Sequence, residues 1–314
     1  MSSIAIVIVT YQGSEWIRPL LNSLHENSLS TSIIIVDNAS NDNTCEIVRN
    51  EFPDATLIAL DTNLGFGGGN NVGITHALKA GFEYIFLVNQ DGIVPRDTIR
   101  TLHDFMNNNR EFGIATPVHC SPDDTCLDQK TYTGYLRSYG FEYLSDAALG
   151  NPIRAGYRIR GINAAAWFVR ADTFRKVGGF DPIFFMYGED DDLIARFEHH
   201  EIPFALVPAA RFVHLRQPQR GMPSAISARI KGEARRTRAT LLARIKRPGT
   251  SLTFAASTLI ALGIIQPTAA FILRRDFVTV IAHWIATFQT AMSLRKAFQH
   301  KSICENEGHH YLEC

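Results

Sequence analysis

The chain has no surplus of either charge: 31 lysines and arginines stand against 31 aspartates and glutamates in 314 residues. No global field therefore draws it to nucleic acid, and none is expected as a partner. Cysteine chemistry is also missing. The five cysteines, Cys45, Cys120, Cys126, Cys304 and Cys314, form no CxxC pair and no zinc spacing, and their number is odd. They read as reduced thiols in a cytosolic compartment. The N-terminus lacks the basic and long apolar regions of a secretory signal and runs directly into a β-branched stretch at residues 4–10, so the main domain is expected to stay in the cytosol. There is no internal repeat and no low-complexity tract. What is plentiful is apolar side chain, 46% of residues against 20% charged, enough for a sizeable core. The length suits one large domain plus an appendage.

Apolar, β-rich runs at residues 4–9, 33–36, 56–60, 84–88 and 113–115 alternate with helix-like stretches at 15–25, 43–50, 72–80 and 96–107. The runs are apolar on both faces, which predicts a doubly wound, mostly parallel α/β sheet covered by helices. Ligands of such sheets lie at the carboxyl ends of the strands. At those ends stand Thr10, Tyr11 and Gln12, then Asp37 to Ser40, then Asp61, Asn63 and the glycine-rich stretch 64–71, then Asn89, Gln90 and Asp91. Four polar, acidic or glycine-rich ends in a row point to a ligand crevice rather than to ordinary turns. The glycine run follows the third strand rather than the first, which argues against a dinucleotide fingerprint and a dehydrogenase. Residues 118–160 read as a variable insertion at the mouth of the site. Beyond it, residues 161–170 read as a strand, 171–177 as a short helix, and 204–207 and 211–214 as two more strands.

Gly188 is followed by four acids, Glu189, Asp190, Asp191 and Asp192, and then by a helix-like apolar run. Like charges so close repel, and three explanations are open. One is a general base whose pKa a neighbouring carboxylate raises. Another is a cation or a helix N-terminus, which acids suit. The third is a solvated first helical turn.

Several segments occur in an order that resembles family 2 inverting glycosyltransferases of the GT-A fold, rhamnosyltransferase-like enzymes above all. They are Val7-Ile8-Val9-Thr10-Tyr11, Val36-Asp37-Asn38-Ala39-Ser40-Asn41-Asp42, residues 63–71, Leu87-Val88-Asn89-Gln90-Asp91, Gly178-Gly179-Phe180-Asp181, Gly188-Glu189-Asp190 with Asp192, and Val213-His214. The likeness spans residues 4–215. It implies a nucleotide-diphospho-sugar donor, with Asp37 on the nucleobase and Thr10 and Tyr11 lining its pocket, Tyr11 as a stacking surface. Gly65 and Gly68 would let backbone approach the ligand, Asn63 and Asn70 would add hydrogen bonds, and Asn89 and Gln90 would complete the donor site. Asp91 falls at the metal motif, whose first acid is Asn89 here, and His214 at a third metal position, so a divalent cation, Mg²⁺ or Mn²⁺, is implied. A structural role for His214 stays open. Asp190 aligns with the catalytic base, flanked by Glu189 and Asp192 as orienting neighbours, with Asp191 a competitor. Asp181 reads as a turn-fixing residue, and Trp167 as an acceptor platform or as core.

Composition changes after residue 220, so a GT-A domain over 1–220 and a helical extension over 221–314 are expected. Residues 229–247 carry eight basic side chains against the single acid Glu233, and about 22 uncharged residues follow from Leu252, broken by Pro267. A second apolar stretch covers 277–292. These segments read as a hairpin on the cytosolic leaflet, as two spanning helices, or as a soluble helical subdomain or dimer interface; the basic flank favours peripheral attachment to anionic lipid. The activity implied is sugar transfer to a lipid-linked cell-surface glycan. A nucleotidyltransferase is the rival enzyme, although no basic residue precedes Arg18 to grip a phosphate. A catalytically inactive sugar-nucleotide scaffold is the rival without chemistry. A homo-oligomer is left open.

Overall fold

The structure is a computed structural model that describes residues 3–216, 225–274 and 276–313. The chain runs β1 (Ile4–Thr10), α1 (Ile17–His25), β2 (Ser32–Asp37), α2 (Thr44–Glu51), β3 (Thr56–Ala59), α3 (Gly65–Lys79), β4 (Tyr84–Asn89), β5 (Gly92–Ile93), α4 (Thr98–Asn108) and β6 (Ile114–Cys120). The insertion is largely helical, with α5 (Gln129–Thr131), a π turn, α6 (Arg137–Tyr139) and α7 (Phe141–Leu149). Then come β7 (Tyr157–Ile159), β8 (Ala166–Arg170), α8 (Ala171–Val177), α9 (Glu189–His199) and β9 (Phe204–His214). The C-terminal helices are α10 (Ile226–Lys246), α11 (Leu252–Ile260), α12 (Gln266–Arg274), α13 (Phe277–Met292) and α14 (Leu294–Cys304).

The sheet order among the described residues is β3-β2-β1-β4-β8-β6-β9-β5, with β7 on β9. The first four strands are parallel, and β8 is antiparallel to both β4 and β6. The doubly apolar runs explain this architecture. Ile4, Ile6 and Ile8 face one core with Ile17, Leu20 and Leu21 of α1, while Ala5 and Val7 face another with Ile74 and Ala77 of α3. Strands buried on both faces must be covered by helices on both.

Three local features differ from the sequence reading. The glycine-rich stretch is not a loop: α3 begins at Gly65, seven residues before the expected start. Its glycines let the helix lie directly on the sheet, since a Cβ at Gly73 would come within 2.3 Å of Val7 Cγ1. Residues 161–165 turn instead of pairing, so the strand is confined to Ala166–Arg170. The two expected strands near the end are one, β9. It slips by three residues against β6, Val207 facing Pro117 and Arg211 facing Val118. Pro117 has no N–H to give the ladder, so the bulge falls where a pairing bond is already missing.

The expected boundary at 220/221 lies outside the described residues. Helix α10 packs along α13, and its last residue, Lys246, is buried against the sheet domain. The tail also returns there: Leu312 joins the core beside Phe180, and Gly179 N donates to His310 O at 2.8 Å. Pro267 cannot donate to the carbonyl of Gly263, and its ring crowds that carbonyl. The helix absorbs this as a π turn, Ala261–Ile265, between α11 and α12. Leu252–Ala269 is long and apolar enough to cross a membrane, and only 28% of it is buried, so most of its apolar surface faces outward.

Candidate active site

The strand order reverses between β1 and β4, the position where open α/β sheets hold their ligands. Gln90 bridges this point, its amide accepting from Tyr11 N at 3.0 Å and donating to Tyr11 O at 3.2 Å. Gln90 thus positions Tyr11, and it lines the crevice beside it. Tyr11 is 46% exposed, its ring free for a partner. A cavity of about 160 Å³ opens here, lined by Tyr11, Asn38, Asn63, Phe66, Asn89 and Asp91. A larger groove of about 690 Å³ between α1 and α2 shares none of these residues.

Thr10 is wholly buried and is not among the residues lining this cavity, contrary to expectation; its hydroxyl donates to Asp37 Oδ1 at 2.9 Å. Ser40 adds bonds from its N–H and hydroxyl to the same carboxylate, 2.8 and 2.6 Å. Asp37 is thus held rigidly at the end of β2 with 1% exposure, behind Asn38, which forms the wall. Asn38 donates to Gly65 O and accepts from Leu64 N, pinning the start of α3. Gly65 adopts φ +77, and a Cβ there would lie 2.0 Å from Phe185 O, so the chain before the acids rests on the start of this helix. Asn63 Oδ1 accepts from Gly65 N at 2.8 Å. Asn70 donates to Phe66 O within its own helix, and Gly68 serves packing, a Cβ there meeting Leu64 at 2.7 Å. Neither Asn70 nor Gly68 is among the cavity-lining residues. Asn71, which sequence reasoning missed, exchanges two 2.7 Å bonds with the Phe180 backbone and so ties α3 to the segment leading into the acids.

Asp91 and His214 meet, Oδ1 to Nε2 at 3.3 Å. Strand β5 pairs with β9 in a register that sets Gly92 opposite His214, which brings the two together. Burial opposes the charge on Asp91, but His214 and Arg216 outweigh it and hold its pKa below the usual carboxylate value. Two buried atoms nearby in sequence have no protein partner, Asn89 Oδ1 and His214 Nδ1. Among the described residues no group of three or more His, Cys, Asp or Glu side chains gathers for a metal. One carboxylate and one imidazole still fit a divalent cation that draws its other ligands from phosphate and water.

The acids open helix α9. Glu189 is 6% exposed and its Oε2 has no partner. Its Cβ lies 3.7 Å from where a Cβ on Gly67 would stand, so the cluster abuts the first turns of α3. Burial, reinforced by Asp190, pushes the Glu189 pKa up to about 8. Burial and the Asp191 charge push Asp190 up to about 6, against backbone N–H groups that include Ala164 in the turned segment 161–165. Asp191 is raised as well, by burial first, and accepts from the Tyr135 hydroxyl at 3.2 Å, which brings the insertion to the site.

Asp192 has a different task from the one expected. It is 2% exposed, with Oδ1 on Lys246 Nζ at 2.7 Å and Oδ2 on Arg196 Nε at 3.1 Å, so it cannot reach an acceptor hydroxyl. Lys246 also reaches Asp181 Oδ2 at 2.6 Å, and Asp181 Oδ1 takes His300 Nδ1 at 2.7 Å. Asp181 fixes its turn as well, accepting from Ile183 N at 2.8 Å. Trp167 is core: it has no exposure, stacks on Phe180 and donates to Ile162 O.

Residues 5–159 match the family described as glycosyl transferase family 2, and residues 151–218 match one described as N-terminal domain of galactosyltransferase. The chain is 25% identical over 217 residues to galactofuranosyltransferase GlfT1 of Mycolicibacterium smegmatis, covering 67% of this chain and 70% of that one. It is 28% identical over 236 residues to the N-acetylglucosaminyl-diphospho-decaprenol L-rhamnosyltransferase of Mycobacterium tuberculosis, covering 67% and 75%. Among solved structures, S. aureus TarS with UDP-GlcNAc superposes at TM-score 0.57 and 15% identity, over 97% of this chain and 89% of that one. Mannosyltransferase PcManGT of Pyrobaculum calidifontis, with GDP-Man and Mn²⁺, gives 0.56 and 19%, over 93% and 87%. These likenesses establish the GT-A fold. A sheet that reverses at β1 and β4 with its acids set against the glycine helix, and sequence matches that run from residue 5 to residue 218, together make this chain a member of glycosyltransferase family 2.

Proposed function

We propose that the chain is an inverting glycosyltransferase that moves a sugar from a nucleoside-diphosphate donor to a hydroxyl of a lipid-linked glycan, with Asp190 as the base. The observation that carries this reading is the pair of neighbouring carboxylates, buried Glu189 and half-buried Asp190, both with raised pKa values, against the first turns of α3. With inversion, the acceptor oxygen bonds to the anomeric carbon as the bond from that carbon to the diphosphate oxygen breaks. The acceptor proton passes to Asp190. A base near pKa 6 is ionised at neutral pH and stronger than an ordinary aspartate, which suits this role. Glu189, near 8, keeps its proton at neutral pH and can donate a hydrogen bond to the acceptor or donor sugar. An inactive sugar-nucleotide scaffold has no use for two adjacent carboxylates held with raised pKa values.

In this reading Asp37, held by Thr10 and Ser40 behind Asn38, fixes the wall of the base pocket, and Tyr11 stacks on the nucleobase. The Asn63 amide and Asn89 Oδ1 bond to the donor. Asp91 and His214 would hold a divalent cation, which would supply positive charge to the departing diphosphate. The apolar, outward-facing C-terminal helices beside the basic α10 support a place on the cytosolic face of a membrane.

Two outcomes test the reading. In thermal-shift measurements with UDP-, GDP- and dTDP-sugars, one nucleotide class should raise the melting temperature, with Mn²⁺ or Mg²⁺ increasing the shift and EDTA reducing it. Asp91→Ala should cancel the metal increment. No shift with any donor would defeat the proposal. Separately, kcat/KM should climb with pH through about 6, because Asp190 must be ionised to take the proton. Asp191→Asn removes a like charge and should move that limb down by about half a unit or more. A limb near the ordinary aspartate value in the wild type would count against Asp190.

A further inference from the structure

We propose that the groove between residues 184–187 and helix α10 receives the diphosphate of the lipid-linked acceptor, whose hydrocarbon chain then runs along α13. This rests on the glycosyl-transfer reading and gives the acceptor a place.

The groove has a volume of about 360 Å³ and is lined by Lys231, Arg235 and Arg238 of α10, by Phe185 and Met186, and by Ile285 of α13. The three cations lie four and then three residues apart, on one helix face. Among the described residues none of them has a carboxylate partner, whereas Arg236 pairs with Glu233, Arg247 with Glu198, and Lys246 with Asp181 and Asp192. Arg238 is partly buried and donates to Ser293 Oγ at 3.3 Å. Burial pulls its pKa down, the mark of a cation short of counter-charge. A partly desolvated, unpaired guanidinium is costly unless an anion completes it, and its planar fork matches phosphate oxygens. A neighbouring groove with Arg160, Arg244 and Arg247 is a weaker candidate, because Glu198 already neutralises Arg160 and Arg247.

Two further observations specify the occupant. Met186 lines both this groove and the crevice at the β1–β4 switch, and the acids begin three residues later, so an acceptor anchored here presents its sugar to Asp190. From Ile285 the wall continues along α13 onto Ile281, Trp284, Phe288 and Met292, which are 42%, 52%, 69% and 74% exposed. Clustered cations at the head of an exposed apolar strip match an anionic headgroup carrying more than one charge on a long hydrocarbon chain.

The test uses the full chain in neutral detergent micelles with three probes: geranylgeranyl diphosphate, geranylgeraniol and inorganic pyrophosphate, followed by tryptophan fluorescence and calorimetry. Geranylgeranyl diphosphate should bind at least about tenfold more tightly than either of the others, since each lacks one half of the match. The double variant Arg235→Gln/Arg238→Gln should weaken it by about tenfold or more, and Arg244→Gln should leave it unchanged. Circular dichroism and donor-induced thermal shift report whether each variant is folded; if the double variant is not, Lys231→Gln, on the exposed edge, should still weaken binding by about threefold. Equal affinity of wild type and the folded cation variants overturns the proposal. So does pyrophosphate that binds as tightly as the lipid diphosphate, which makes this a free-anion site. So do variants that lose phosphatidylglycerol vesicles but keep geranylgeranyl diphosphate, which makes it a leaflet-binding face. Loss of donor binding in the wild type would instead defeat the glycosyl-transfer reading, and it is read separately.

Discussion

Asp190→Asn is expected to lower kcat by about 10²–10⁴-fold while nucleotide-sugar affinity stays within about twofold. The asparagine keeps the shape of the side chain and removes only its ability to take a proton. The acceptor hydroxyl must then shed its proton to water during attack. Donor binding should survive because the proposed nucleotide contacts come from the ends of β1, β2 and β4 and from the start of α3, not from Asp190. Asp191→Asn is the control: its carboxylate is already engaged by the Tyr135 hydroxyl, so it should lose far less activity. Single-turnover transfer and calorimetry on the same variants separate the two effects. Wild-type turnover in Asp190→Asn, or a matching collapse in Asp191→Asn, would move the base to a neighbour.

The second large effect concerns stability. Lys246→Met is expected to destabilise the protein by about 3–5 kcal/mol, since it leaves two buried carboxylates, Asp181 and Asp192, short of their shared cation. Asp192 keeps Arg196, and Asp181 keeps His300, so the loss is partial for each. Pairing Lys246→Met with Asp192→Asn should recover part of it, because one of the stranded charges goes too. Burial opposes the charge on Asp181, but His300 and Lys246 outweigh it and hold its pKa well below the usual carboxylate range. A depressed carboxylate stabilises the fold above its unfolded value and loses that contribution as pH falls through its folded value. The network is therefore intact at neutral pH and fails only in strong acid. Urea denaturation at pH 7 measures both variants; a loss below about 1 kcal/mol would show that water reaches the network and screens it.

Much of the site was legible from local pattern. Doubly apolar runs could only be buried strands, so their polar ends had to converge, and Tyr11, Asn63, Asn89 and Asp91 do line one crevice. The acid run after Gly188 did open a helix, as its position ahead of an apolar stretch implied. Other assignments failed because neighbours distant in sequence decide what a side chain has left to offer. Thr10 looked like a ligand-facing residue, yet it is wholly buried and its hydroxyl is spent on Asp37. Asp192 looked like its three neighbours, but on a helix successive residues point in different directions, and its direction is inward.

By itself the sequence determined the alternation of parallel strands and helices over the first 90 residues, the crevice at the strand ends and the composition of the acid cluster. These follow from periodicity and from residue types within a few positions of one another. Only the tertiary structure decided that Asp192 is tied up in a buried ion-pair network. Lys246 lies 54 residues beyond Asp192 in a basic run read as a flank for anionic lipid, yet it folds inward to neutralise two buried carboxylates. A buried charge requires a counter-charge, and no local pattern announces a partner supplied from so far along the chain.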